Sequence, residues 1–342
     1  MTLLVRDEAD IVDENIALHL AVGVDFVIAA DNASSDGTTE ILEKYARKGQ
    51  LHRISLQDRF SQIEVVTQMA RLAATDFGAD WVINSDADEF WWPRIGSLKE
   101  LLGAVPPRFG GVRGMWRNFV PRREGPESFS ERMTIRSQEP PRGVHPFNPH
   151  FKTVHRASPD VEVGGGNHDV IGSGLAPLYS WYPIDVLHFP IRSLEQFQRK
   201  FLRWWQITAV DGEASNPYYN TVRDAHREGR IAELYEPLVV DEEQLARGLA
   251  GGTLVVDTRL RDAVRSLRHQ DVAPFQLHDI GDPGYLIELA YLEDHSPFVR
   301  AQQSIESLEA RVSRLEHGVA IRAPERLRTS VARLSRRTAS RA

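Results

Sequence analysis

Over the first hundred residues, short apolar runs alternate with segments whose apolar residues recur every three or four positions. The runs suit buried strands and the spaced segments suit amphipathic helices, so the alternation predicts βαβ units and a mostly parallel sheet. Leu3 to Val5 reads as a short strand, followed by a helix carrying Val12, Ile16 and Leu20 on one stripe. Asp7 or Asp10 is placed to cap that helix and Gly23 to stop it. Phe26 to Ala30 is a second strand, and Ile41, Leu42 and Tyr45 mark a second helix. Leu51 to Leu56, Ile63 to Ala74 and Trp81 to Ile83 continue the alternation as strand, helix and strand. Ser97 and Glu100 have the spacing of a capping box, opening a helix through Leu101 and Leu102 that Pro106-Pro107 ends.

Beyond residue 110 the pattern loosens. Strand candidates at Gly111 to Trp116, Phe151 to His155 and Ile184 to Phe189 are separated by Pro- and Gly-rich loops, of the kind that shape substrate sites. Residues 194–210 and 221–270 read as mainly helical, broken at Gly251-Gly252 and Asp257. The organisation this predicts is an α/β catalytic domain over 1–210, a helical extension over 211–290, and a short heptad-like helix with a basic tail over 291–342. Ile305, Leu308, Val312, Leu315 and Val319 keep a heptad step for two repeats, a seam through which the chain would pair with a second copy. Seven arginines against Glu325 alone make residues 321–342 locally basic. Such a tail suits peripheral contact with an anionic membrane surface; the alternative is a solvated terminus that binds nothing.

Composition narrows the classes. With 42% hydrophobic and 26% charged residues, the 342-residue chain has ordinary globular usage. Its net charge of -7 gives no global attraction to nucleic acid. The absence of cysteine removes disulfides, thiolate zinc sites and cysteine nucleophiles. The opening MTLLVRDEAD is too short in apolar residues for a secretory core, and no stretch is long enough to span a bilayer, so a cytoplasmic protein is expected, in contact with the inner membrane face at most peripherally.

Candidate chemistry sits at strand ends, where ligands of open α/β sheets bind. Asp86 and Asp88 follow the run Trp81-Val82-Ile83. If the strand persists, residues two apart point the same way, so both carboxylates address one cation while Glu89 points elsewhere. A hard cation such as Mg²⁺ or Mn²⁺ held by one or two carboxylates suits a bound diphosphate. Asp31, at the end of the Phe26 to Ala30 run, is placed to bond a nucleobase or ribose, while Ser35 or Asp36 caps the next helix, with Asp36 read as a cap alone.

Val5-Arg6-Asp7-Glu8, the turn Asp31 to Thr38, and Asp86-Ala87-Asp88-Glu89-Phe90 together resemble the family-2-like glycosyltransferases of the GT-A fold. The resemblance covers about residues 1–205 and implies a Rossmann-like, mixed but mostly parallel sheet flanked by helices, with a helical C-terminal extension. It implies transfer of a hexose from a nucleotide-sugar donor to a saccharide or lipid-linked acceptor, with inversion, in bacterial surface polysaccharide or glycoconjugate synthesis. By the same resemblance Glu8 and Asp31 line the nucleoside pocket, assisted by Arg6; Asp86 contacts the ribose or the metal; and Asp88 binds the Mn²⁺ or Mg²⁺ that bridges the diphosphate. His188, in Leu187-His188-Phe189-Pro190, would complete the metal site; the alternative is a hydrogen-bonded structural histidine. The family's usual Glu-Asp pair before the C-terminal helices is missing. Gly164-Gly165-Gly166-Asn167 allows close substrate approach and sets His168 and Asp169 side by side, so one of them is the candidate general base, against the alternative of a tight loop. Trp91-Trp92 and Trp204-Trp205 suit either sugar stacking or core packing. A carbohydrate- or nucleotide-binding protein that keeps the fold without catalysis is the reading from another class, and a nucleotidyltransferase the weaker third, since Leu3 to Asp10 lacks a Gly-rich basic loop.

Overall fold

The computed structural model describes residues 1–56, 61–94, 96–138, 151–172, 177–178, 183–210, 213–214 and 216–269. The heptad-like segment 305–319 and the basic tail lie outside the described residues.

In chain order the first half holds β1 (Thr2–Val5), α1 (Val12–Ala21), β2 (Val27–Asp31), α2 (Thr38–Arg47), β3 (Leu51–Ser55), α3 (Gln62–Thr75), β4 (Trp81–Ser85), β5 (Glu89–Pro93) and α4 (Leu98–Gly103). Next come β6 (Gly111–Asn118), α5 (Phe129–Arg132), β7 (Ile135–Ser137), β8 (Phe151–Arg156), β9 (Glu162–Val163), β10 (Val170–Ile171), β11 (Pro177–Leu178) and β12 (Ile184–His188). The chain continues with α6 (Leu194–Thr208), β13 (Ala209–Val210), β14 (Glu213–Ala214), α7 (Pro217–Arg227), α8 (Ile231–Tyr235), α9 (Glu242–Ala250), β15 (Leu254–Val256) and α10 (Arg259–His269).

The main sheet has the order β3-β2-β1-β4-β8-β6-β12-β5, with β11 added beside β6. Its first four strands are parallel neighbours, as helical crossovers demand. β8 then enters antiparallel between β4 and β6, and β5 runs antiparallel on β12. The fold is thus α/β with a mixed, mostly parallel sheet, as the alternation of runs predicts.

Strand side chains alternate faces, and the core follows: Ile28 and Ala30 of β2 and Val82 of β4 pack under Val65, Val66, Met69, Ala70 and Ala73 of α3. The capping box at Ser97 and Glu100 is present. The helical region after β12 has a second apolar cluster of Ile191, Phe197, Phe201, Val222 and Tyr235, and it also returns to the sheet side, where β15 pairs antiparallel with β7. Among the described residues no helix is long and apolar enough to cross a membrane.

Two local expectations need correcting. Neither Asp7 nor Asp10 caps α1, whose N-cap is Ile11 without a side-chain bond. Both acids are held by partners brought in through the tertiary fold: Asp7 accepts from the Ser35 amide at 2.8 Å, and Asp10 is paired with Arg192 at 2.6 Å. Nor does β4 persist through the acidic motif. It stops at Ser85, and a turn closed by the Glu89 amide on the Asp86 carbonyl (3.1 Å) reverses the chain into β5.

Candidate functional site

The carboxyl ends of β1, β2 and β4 converge, and each leads into a polar loop. The loops after β1 and β2 are stitched together by the residues that made the sequence distinctive. The Asp7 amide donates to Ser34 Oγ (3.0 Å), the Glu8 amide to Thr38 Oγ1 (2.9 Å) and the Ala9 amide to Asp36 Oδ2 (3.0 Å). The N-cap of α2 is Gly37, without a side-chain cap bond, so neither Ser35 nor Asp36 is the cap: Asp36, one residue earlier, accepts from the Thr38 amide at 3.1 Å as well as from Ala9, and Ser35 bonds Asp7. Gly37 adopts φ +101°, a backbone angle that a side chain disfavours, which starts α2 at this turn. Asp31, 3% exposed, accepts from the Ser34 amide at 3.0 Å and Thr39 Oγ1 at 2.6 Å, and these bonds shape its own loop. Among the described residues the positive-φ non-glycines are Asp7 and Ala33, in the loops after β1 and β2, and Asn167, in a short 3-10 turn between β9 and β10.

Reversal at Asp86 sends the acids of the third motif to different partners. Asp86 accepts from Lys152 Nζ at 2.8 Å and Asn167 Nδ2 at 3.2 Å. Asp88 is paired with Lys200 Nζ at 2.5 Å and lies 3.8 Å from His188 Nε2. Glu89 does not point elsewhere, as strand alternation would have it: it is buried beside Asp86, sharing Lys152 at 2.9 Å and accepting from Trp116 Nε1 at 2.8 Å. Burial pushes the Glu89 pKa up, and Lys152 opposes that push. Burial also works against the charge on Lys152, but Asp86 and Glu89 outweigh it and keep the ammonium protonated. For Asp88, burial is overcome by Lys200 and Arg192, which hold its carboxyl well below the usual range.

His188 is buried, donates from Nδ1–H to Asn118 Oδ1 (2.7 Å), and stacks on Trp116 with centroids 4.0 Å apart. Burial lowers its pKa to about 3, leaving a neutral imidazole beside Asp88. His168 meets the other side of this cluster, its ring 5.5 Å from that of Trp116 and its Nδ1 2.8 Å from the Phe151 carbonyl. Asp169 is exposed next to it, and its carbonyl closes the glycine loop on the Gly164 amide at 2.8 Å.

Arg192 is the largest contribution that sequence reading passed over. Its guanidinium, 1% exposed, bonds Glu8 at 2.5 Å and Asp10 at 2.6 Å and joins the loop after β12 to the loop after β1. Burial raises the Glu8 pKa and Arg192 opposes it, although 22% of that side chain still reaches solvent. Arg6 is largely exposed at the rim, 3.5 Å from Asp7. Lys152, Lys200, Glu89 and Trp116 were missed as well. Lys152 had a signal, a lone cation inside an apolar strand run; Lys200 had none. Trp91 and Trp92 are core residues, 0% and 8% exposed. Trp205 is covered by Arg223 and Arg227, and Trp204 lies over Tyr219.

The expected metal set does not assemble. Asp88 and His188 come together, but Asp86 is turned to Lys152, and among the described residues no three acids or histidines are grouped to hold an ion. The donor set does not fit a divalent cation, because an ammonium already occupies each carboxylate of the motif.

Residues 3–108, which span β1 through α4, match the model of glycosyltransferase family 92. The match is to a glycosyltransferase family, though a different one from the family-2-like branch that the motifs resemble. No curated protein matches the chain. Similar solved structures include Staphylococcus aureus TarS residues 1–349 with UDP, at 14% identity and a TM-score of 0.31, covering 86% of this chain and 91% of that one. The same protein with UDP-GlcNAc aligns at 13% identity and a TM-score of 0.30, covering 86% and 92%. Superpositions this loose fix neither the fold nor the site.

Proposed function

We propose that the protein is a glycosyltransferase that moves a sugar from a nucleoside-diphosphate donor to a saccharide or lipid-linked acceptor. One observation carries the reading: the segment that matches a glycosyltransferase family, residues 3–108, supplies Glu8, Asp86, Asp88 and Glu89, which meet at the carboxyl ends of β1 and β4. Crevices at such strand ends are where nucleotides bind in open α/β sheets. In this reading Arg6, Glu8 and Asp31 border the nucleoside and Asp86 and Asp88 organise the diphosphate end.

Transfer with inversion needs one base. The acceptor hydroxyl oxygen attacks the anomeric carbon while the bond from that carbon to the β-phosphate oxygen breaks, and the nucleoside diphosphate leaves with the electron pair. The exposed carboxylate of Asp169, next to His168, takes the hydroxyl proton. Surface polysaccharide or glycoconjugate synthesis, on the cytoplasmic side of the membrane, is the setting this chemistry suits.

The experiment is a thermal-shift panel of UDP, GDP, dTDP and CDP, followed by donor hydrolysis and transfer with the nucleotide that stabilises the chain. Stabilisation by one of them, with turnover of its sugar conjugates, supports the proposal. Binding without turnover with any sugar conjugate would favour a non-catalytic binding protein on this fold.

A further inference from the structure

The two lysines paired with the acidic motif differ in what they can still bond. Lys152 has 1% of its side chain exposed, and its ammonium serves Asp86 at 2.8 Å, Glu89 at 2.9 Å and the Gly166 carbonyl at 2.6 Å. An ammonium has three donors, so that one is filled. Lys200 keeps 23% of its side chain exposed and donates to Asp88 Oδ2 at 2.5 Å and the Pro190 carbonyl at 3.2 Å. Its third N–H is left for an oxygen approaching from solvent.

Lys200 does not stand alone on α6. One residue before it, Arg199 donates to the Asp7 carbonyl at 2.9 Å. One turn after Arg199, Arg203 is brought near Arg6, and burial together with that like charge pushes its pKa down to about 10. Asp7 and Glu8 offset part of this repulsion, Arg6 lying 3.5 Å from Asp7, and an anion at the rim would offset the rest. A divalent ion placed on Asp88 would instead meet the fixed ammonium of Lys200, as well as Arg192 behind it.

Resting on the donor reading above, we infer that Lys200, with Arg203 and Arg6 beside it, supplies the positive charge at the donor diphosphate, so that this protein binds and uses its donor without a divalent cation. The ammonium bonds a phosphate oxygen in the bound donor and stays with it as negative charge grows on the departing nucleoside diphosphate. This replaces the Mn²⁺ or Mg²⁺ that the sequence motifs imply.

The test is calorimetric titration of the full chain with UDP, GDP, dTDP and CDP, in EDTA and again in excess Mn²⁺ or Mg²⁺. The Kd of whichever nucleotide binds is expected to agree within about twofold between the conditions, and Lys200→Gln to weaken it about tenfold or more in both. Lys200→Arg, which keeps the charge, is expected to retain most of the affinity and shows that the loss is not one of folding. Loss of wild-type binding in EDTA with restoration by Mn²⁺ or Mg²⁺ would overturn the inference and leave the donor reading standing. Wild-type affinity in a folded Lys200→Gln would also overturn it. Binding of no nucleotide in either condition would sink the donor reading itself, and this inference with it.

Discussion

Glu89, Asp86 and Lys152 form a buried triad in which one ammonium serves two carboxylates, and its energetics follow from desolvation. Truncating the cation leaves Glu89, with 0% of its side chain exposed, without a counter-charge. Lys152→Met is expected to destabilise the fold, read from urea unfolding, and more so as pH rises above neutrality, because Glu89 must then take up a proton to stay buried and both carboxyls lose their shared donor. His19 gives a second residue-scale prediction. It is 0% exposed, accepts from the Trp91 amide at 3.0 Å, and burial lowers its pKa from 6.5 to about 4. A depressed pKa means the unfolded chain takes up the proton first, so the contribution is complete above pH 6.5 and is lost as pH falls toward about 4. Between pH 6.5 and about pH 5 this amounts to about 2 kcal/mol, and His19→Gln should flatten the wild-type pH profile of unfolding by about that much. Asp88 was singled out in the sequence because it follows an apolar strand, and Glu8 through the family resemblance of its motif. Lys200 was not, because a lysine on an amphipathic helix has the same pattern whether it faces water or a carboxylate.

Two elements show how backbone placement constrains the site. Gly114 lies in β6, and a Cβ there would stand 2.8 Å from Val186 Cγ2 and 3.2 Å from the Trp91 ring. Gly114→Ala is therefore expected to cost about 1–3 kcal/mol, measured as a lower Tm, through overpacking against β12 and β5 rather than through backbone strain. The loop after β2 works differently. Asp36 ties α2 to the loop after β1 through the Ala9 amide, so Asp36→Ala should lower Tm slightly, by the equivalent of about 1 kcal/mol. The same variant should weaken nucleotide binding by more than its stability loss accounts for, because the Glu8 loop loses its register; equal binding in the variant would refute that coupling. The helices and strands of this half other than β5 were predictable from periodicity, and the capping box at Ser97 from its spacing. What periodicity could not tell was where β4 ends, since Asn84 and Ser85 continue a strand that hydropathy closes at Ile83; the turn is decided by pairing with β1 and by the reversal into β5.

Across the molecule, the region after β12 is tied to the main sheet by an ion pair to β12 and pairs through β15 with β7, which lies outside that sheet. Arg259 bridges Asp257 and Asp185, Arg265 pairs with Glu131 at 2.5 Å, and Leu260, Ala263 and Val264 are buried. A chain ended after Ala250 would lose β15 and α10, uncover β7 and leave Asp185 with fewer partners. It is expected to melt several degrees lower than the full chain, and an unchanged Tm would show that the region is dispensable. The alternation of apolar runs and helical stripes determined the α/β class, and three polar motifs at strand ends marked the candidate site, because both depend on local sequence. The tertiary structure alone decided which charges meet. Asp10 and Arg192, Asp86 and Lys152, and Asp88 and Lys200 are far apart in the chain, and the cost of burying each charge is offset only when the folded sheet brings its counterpart within bonding distance.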